Sequence, residues 1–130
     1  MAVNREYLSV LFDQYPTGVM IADDRAFYVD VNQAARRMLG RHREELVGHH
    51  LSSIIAPGRA VEVDLQWRSF IRDGSQQGVF DVVLPDGTTS RLQFNALANF
   101  SPGLHCSFLS PLPSADQNRA VDAPSLTACA

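Results

Sequence analysis

His49, His50, His105 and Cys106 are the side chains best suited by type to hold a metal ion. Structural zinc sites use imidazole and thiolate ligands paired at short, fixed spacings. Here the candidates are immediate neighbours, His49-His50 and His105-Cys106. Adjacent side chains on an extended chain point to opposite sides, so the pattern disfavours zinc. Ser52, Ser53, His49 and Asp64 supply nucleophile, base and acid by type, but no strained elbow, triad order or metal motif joins them. No enzymatic activity is expected. Arg36, Arg37, Arg41 and Arg43 form one basic cluster, partly balanced by Glu44 and Glu45. It is an anion site only if the guanidinium groups converge; otherwise it is a solvated helix end.

The elements that must position these groups follow from periodicity. Asn4 to Gln14 predicts an amphipathic helix, with Asn4 as N-cap and Leu8, Leu11, Phe12 and Tyr15 at helical spacing. Tyr7 and Val10 widen its apolar stripe, and Pro16 ends it. Gly18–Ala22 and Ala26–Val31 read as strands joined by an Asp23–Arg25 turn. Asn32 is placed to cap a helix over Gln33–Leu39, and Gly40 to terminate it. Short helices are expected over Arg43–Val47 and Leu51–Ile55, and the longest over Val61–Arg72, where Val63, Trp67, Phe70 and Ile71 share a face.

Strands Gly78–Leu84 and Thr88–Ala98 flank the turn Pro85-Asp86-Gly87, and Leu104–Leu109 is the last strand. In the middle strand Ser90, Leu92, Phe94, Ala96 and Ala98 point one way, and Arg91, Gln93, Asn95 and Leu97 the other. On the last strand His105 and Leu109 are expected outward. The order predicts an α+β fold: a five-stranded antiparallel sheet, short helices on one face and an N-terminal amphipathic helix. The expected division is 1–15 cap helix, 16–110 domain, and 111–130 flexible tail or linker.

At 130 residues the chain is long enough for one hydrophobic core without staples. Its 19% charged residues lie below the roughly 25% of an average soluble domain, which favours a packed globule over a disordered chain. The formal net charge of -3 argues against nucleic acid as a direct partner. Two cysteines make no disulfide scaffold, and no apolar run suits a signal peptide or a membrane span. A cytoplasmic location without membrane contact is the expectation.

Pro16-Thr17-Gly18-Val19, Asn32 followed by Ala34-Ala35 and Leu39-Gly40, Glu44-Glu45-Leu46-Val47-Gly48 and Leu84-Pro85-Asp86-Gly87-Thr88 stand in an order that resembles the PAS sensory domain family. The resemblance covers roughly Tyr7 to Leu109. It departs at the end, where Ser110-Pro111-Leu112-Pro113 replaces the Asp-Ile-Thr triplet that leads many such domains into an output helix.

The resemblance implies a pocket between the inner sheet face and the short helices. Its expected lining is Met38, Leu51, Ile54 and Ile55 from the helical segments, with Trp67 and Phe70 from the long helix. Phe80, Phe94, Ala96, Cys106 and Phe108 come from the strands. The same side chains would also serve as an ordinary core. Haem-binding members present a histidine from the long helix, which has none here. Photoadduct-forming flavin members carry an Asn-Cys-Arg-Phe-Leu run, which is missing. Haem and covalent flavin are therefore disfavoured; the cofactor is unassigned, with a small molecule held non-covalently still open. The resemblance implies a signal-input module binding a small, mostly apolar ligand and relaying it to an output domain or partner signalling protein. The alternative is a ligand-free interaction module. Both readings expect a homodimer, through Tyr7, Leu8, Leu11 and Phe12.

Overall fold

The computed structural model describes the backbone of residues 5–112 and the side chains of residues 10–112. Asn4, the side chains of Tyr7 and Leu8, and the tail from residue 113 onward lie outside the described residues. The order is α1 (Arg5–Gln14), β1 (Gly18–Asp23), β2 (Tyr28–Val31), α2 (Gln33–Leu39), α3 (Arg43–Leu46), a 3₁₀ turn (Leu51–Ile54), α4 (Ala60–Asp73), β3 (Ser75–Val83), β4 (Thr89–Ser101) and β5 (Leu104–Pro111). The strands form one antiparallel sheet in the order β2-β1-β5-β4-β3, so the first and last strands lie side by side.

Local chemistry sets the joints. Asp23 Oδ1 accepts the N–H groups of Arg25 and Phe27, which folds the β1–β2 turn back on itself. At the end of α2, Gly40 takes a left-handed φ of 66°, and its N–H closes onto the Arg36 and Arg37 carbonyls. Gly18 serves a different need. A Cβ there would lie 3.1 Å from Ala35 Cα, so any larger residue would press β1 and α2 apart by a few tenths of an ångström.

Asn32 ties these elements together. It is fully buried, and its side-chain oxygen accepts from Val19 N–H at 2.8 Å and Ala35 N–H at 3.0 Å. Its amide donates to the carbonyls of Phe12 and Thr17, each at 3.0 Å. One side chain thus caps α2, satisfies β1 and anchors the end of α1. Asp13 adds to the joint by accepting the Gln33 N–H.

The core packs Val31, Ala35, Leu39, Leu46, Ile54, Val82, Leu92 and Leu109 between the sheet and the helices. Cross-strand register sets the inner face: Leu109 faces Gly18 and Phe94, Ser107 faces Met20 and Ala96, and His105 faces Ala22. This reverses the alternation expected for β5. His105 and Leu109 point inward and are buried, while Phe108 is 36% exposed against Tyr15. The segment has apolar residues at both parities, so hydropathy alone could not choose. Leu109 fills the core where its neighbour Gly18 offers no side chain.

Candidate ligand cavity

Between the inner sheet face, α4 and the 3₁₀ turn lies a cavity of about 370 Å³. This is at the lower end of the ~300–1,000 Å³ typical of small-molecule sites. Its existence follows from how lightly α4 rests on the sheet: Phe70 is that helix's single buried residue. Phe70 and Trp67 form the roof with Val63, and Leu51 and Ile55 close one side. The floor is Met20 and Ala22 of β1, Tyr28 of β2, Phe80 of β3, and Phe94 and Ala96 of β4. Phe80 and Phe94 meet edge to face at 5.5 Å. Small side chains at Ala22 and Ala96 leave the space that bulkier neighbours surround.

His105 closes one end. It is 2% exposed, and its ring stands edge-on to Trp67 at 5.5 Å and Phe70 at 6.0 Å. Nδ1 accepts the Asn99 N–H at 2.9 Å, so Nε2 carries the proton and donates to Asp24 Oδ1 at 2.8 Å. Both nitrogens are occupied. The histidine therefore clamps the end of β4 to the β1–β2 turn instead of offering a metal ligand.

At the rim, Arg59 pairs with Glu62 at 2.7 Å, and Arg91 with Asp81 at 2.9 Å. The hydrogen bond from Arg91 holds the Asp81 carboxyl below its ordinary value. The lining carries no uncompensated charge.

Of the residues expected from the sequence, Leu51, Ile55, Trp67, Phe70, Phe80, Phe94 and Ala96 converge on the cavity. Met38 and Ile54 belong to the adjoining core, and Phe108 lies on the outer face. Cys106 borders the cavity, although its register partners Leu97 and Ile21 belong to the outer face. Burial pushes its thiol above the ordinary value, against a backbone hydrogen bond at Leu97, so a reactive thiolate is disfavoured. Tyr28, His105, Ser107 and Gln76, which periodicity does not single out, also line the cavity.

The other candidates disperse. His50 caps the 3₁₀ turn, its Nδ1 accepting the Ser52 N–H, and His49 is exposed. Among the described residues no three His, Cys, Asp or Glu side chains gather to hold an ion. The basic cluster does not converge: Arg36 donates to the Val31 carbonyl, Arg41 to the Val83 carbonyl, and Arg43 pairs with Asp30. Of the expected dimer stripe, Leu11 is 64% exposed and Phe12 half-buried.

A model of the PAS fold matches residues 12–106, most of the chain. The chain belongs to the PAS family. Solved PAS structures share its fold at low identity. The PAS domain of an HTR-like protein from Haloarcula marismortui superposes with a TM-score of 0.73 at 20% identity, covering 82% of this chain and 90% of that one. A domain of a sensory box sensor histidine kinase/response regulator from Geobacter sulfurreducens gives 0.67 at 19%, covering 80% and 90%. The PAS domain of a LuxR-family transcriptional regulator from Burkholderia thailandensis, solved in complex with ethanol, gives 0.67 at 16%, covering 85% and 98%. No curated protein matches the sequence. PAS domains are thus found in sensory kinases and transcriptional regulators, and this chain carries that sensory fold. No helix among the described residues is long and apolar enough to cross a membrane.

Proposed function

We propose that this PAS domain is a non-catalytic, cytoplasmic signal-input module that binds a small, mostly apolar molecule in the cavity beneath α4. The observation that carries the reading is the cavity itself: about 370 Å³, aromatic-walled, with alanines where a filled core would put larger side chains. The ethanol-bound relative from Burkholderia thailandensis is a PAS domain holding a small molecule, and this chain is similar to it in fold.

The relay to an output domain or partner runs through β1. Met20 lines the cavity, and its neighbour Val19 donates its N–H to Asn32, which in turn donates to the Phe12 carbonyl of α1. A ligand that favours one placement of β1 over another biases α1 through this joint, provided it binds the two placements with different affinity. Dimerisation through α1 and the outer sheet face would then transmit the bias.

The second reading is an interaction module with no ligand. Its support is the apolar outer face, where Leu97 is 49% exposed and Phe108 and Tyr15, which meet edge to face, are exposed as well. An absorption spectrum of protein purified from cells, followed by mass spectrometry of the denatured extract, separates the two. A stoichiometric small molecule is the expected result. An empty protein that also resists a ligand thermal-shift screen would overturn the sensor reading and favour the interaction module.

A further inference from the structure

Besides the exposed Gln66 at its rim, the cavity lining contains three polar side chains that the fold leaves unused. Tyr28 is 5% exposed, and its hydroxyl forms no hydrogen bond among the described residues yet is not one of the fully enclosed unpartnered atoms, so it opens onto the cavity. Burial pushes its phenol well above the ordinary value with no hydrogen bond to offset it, so the group stays a neutral donor. Ser107 and Gln76, both half-buried, line the same space.

Register shows how these groups are arrayed. Tyr28 pairs with Ala22, and Ala22 with His105. One step along, Met20 pairs with Ser107, Ser107 with Ala96, and Ala96 with Gln76. Polar positions therefore recur across the inner face, separated by alanines whose short side chains leave room above them. His105 has no free nitrogen, and the rim arginines are already paired, so hydroxyl and amide groups are what remains for a ligand.

We propose that the cavity is specific for an uncharged, largely apolar molecule bearing a carbonyl oxygen, which accepts the Tyr28 hydroxyl proton while its apolar part lies among Trp67, Phe70, Phe80 and Phe94. This rests on the cavity reading above and adds the chemistry of its occupant. A ligand that displaces water from this hydroxyl must replace its hydrogen bond, which a carbonyl oxygen does and a hydrocarbon does not. A carboxylate would find no unpaired cation and would have to break a rim ion pair.

The test uses the whole chain and four matched probes: acetophenone, methyl benzoate, ethylbenzene and benzoate. Binding is measured by saturation-transfer NMR and titration, on the wild type and on Tyr28→Phe. The ketone and ester should bind the wild type roughly two- to tenfold more tightly than ethylbenzene, the range one neutral hydrogen bond supplies. Tyr28→Phe should erase that advantage without weakening ethylbenzene, which no longer strips a hydroxyl of its partner. Equal binding of ketone and hydrocarbon to the wild type, which needs no variant, would overturn the inference while leaving the cavity reading intact. So would an advantage that survives in Tyr28→Phe, or benzoate as the tightest probe. Failure of all four to bind sinks the cavity reading and this inference together.

Discussion

Replacing Asn32 with alanine should cost more than any surface change and should release α1 specifically. The loss has two parts. Removal of the α2 cap, where Ala35 N–H loses its acceptor, costs about 1 kcal/mol. Val19 N–H, buried beneath α2, loses its acceptor as well, which costs about 1–3 kcal/mol for an unsatisfied buried donor. The Phe12 and Thr17 carbonyls lose their donors too, but lie nearer the surface, where water can replace the amide. The sum is about 2–4 kcal/mol, a large fraction of the 5–15 kcal/mol that holds a typical domain. For a domain of this size that corresponds to a fall in Tm of roughly 8–15 °C.

Asn32→Asp sharpens the test, because it keeps both acceptors and removes both donors. At neutral pH its fully buried carboxylate would face the two carbonyl oxygens, and burial and this repulsion together outweigh the two N–H donors it keeps, so its folded pKa rises. A group raised in this way contributes its stability below the unfolded value, about 3.9, and loses it as pH rises through the folded value. The aspartate variant should therefore be more stable near pH 4 than at pH 7 relative to wild type, whereas the alanine variant should show no such trend. Urea denaturation across that window gives the stabilities, and amide exchange shows whether α1 opens first. A loss below about 1 kcal/mol for Asn32→Ala, a change smaller than a single lost cap, or unchanged exchange in α1, would refute the joint as described.

Ala96→Leu should abolish binding of any cavity ligand while the protein stays folded; a loss of about 1–3 kcal/mol without a ligand to displace would instead show a filled core, as denaturation with and without ligand would reveal. Gly18→Ala should destabilise by about 1–3 kcal/mol, since the added Cβ meets helix backbone at Ala35 that cannot rotate away; an unchanged urea midpoint would mean α2 shifts freely. Tyr28 carries a phenol raised by burial, so its contribution is fully present below the ordinary value of about 10 and is lost as pH rises towards the folded value. Wild type should then lose about 1.4 kcal/mol per pH unit relative to Tyr28→Phe above that point, measured by alkaline denaturation.

The sequence made the scaffold readable where one signal was local and unopposed. Asn32 before a helical run and Gly40 after it mark α2 by capping chemistry alone, and the structure ends that helix where they say. Pro85-Asp86-Gly87 fixes the β3–β4 turn, and β4 alternates with most of its apolar residues at one parity, so the pattern alone places Leu92, Phe94 and Ala96 inward. Face assignment failed where parity was ambiguous or broken. In β5, Leu104, Cys106 and Phe108 oppose Leu109 across the two parities. The choice was made by Gly18 and Ala22 on the neighbouring strand, a pairing far apart in sequence. Tyr28 was hidden for a further reason: the register shift between Ile21 and Ala22 is a bulge that breaks the two-residue period of β2. That irregularity places Tyr28 and Val31, three positions apart, on the side buried against the core. The inward hydroxyl that most constrains what this cavity can hold therefore exists because of a break in periodicity, and periodicity is what a reading of the sequence relies on.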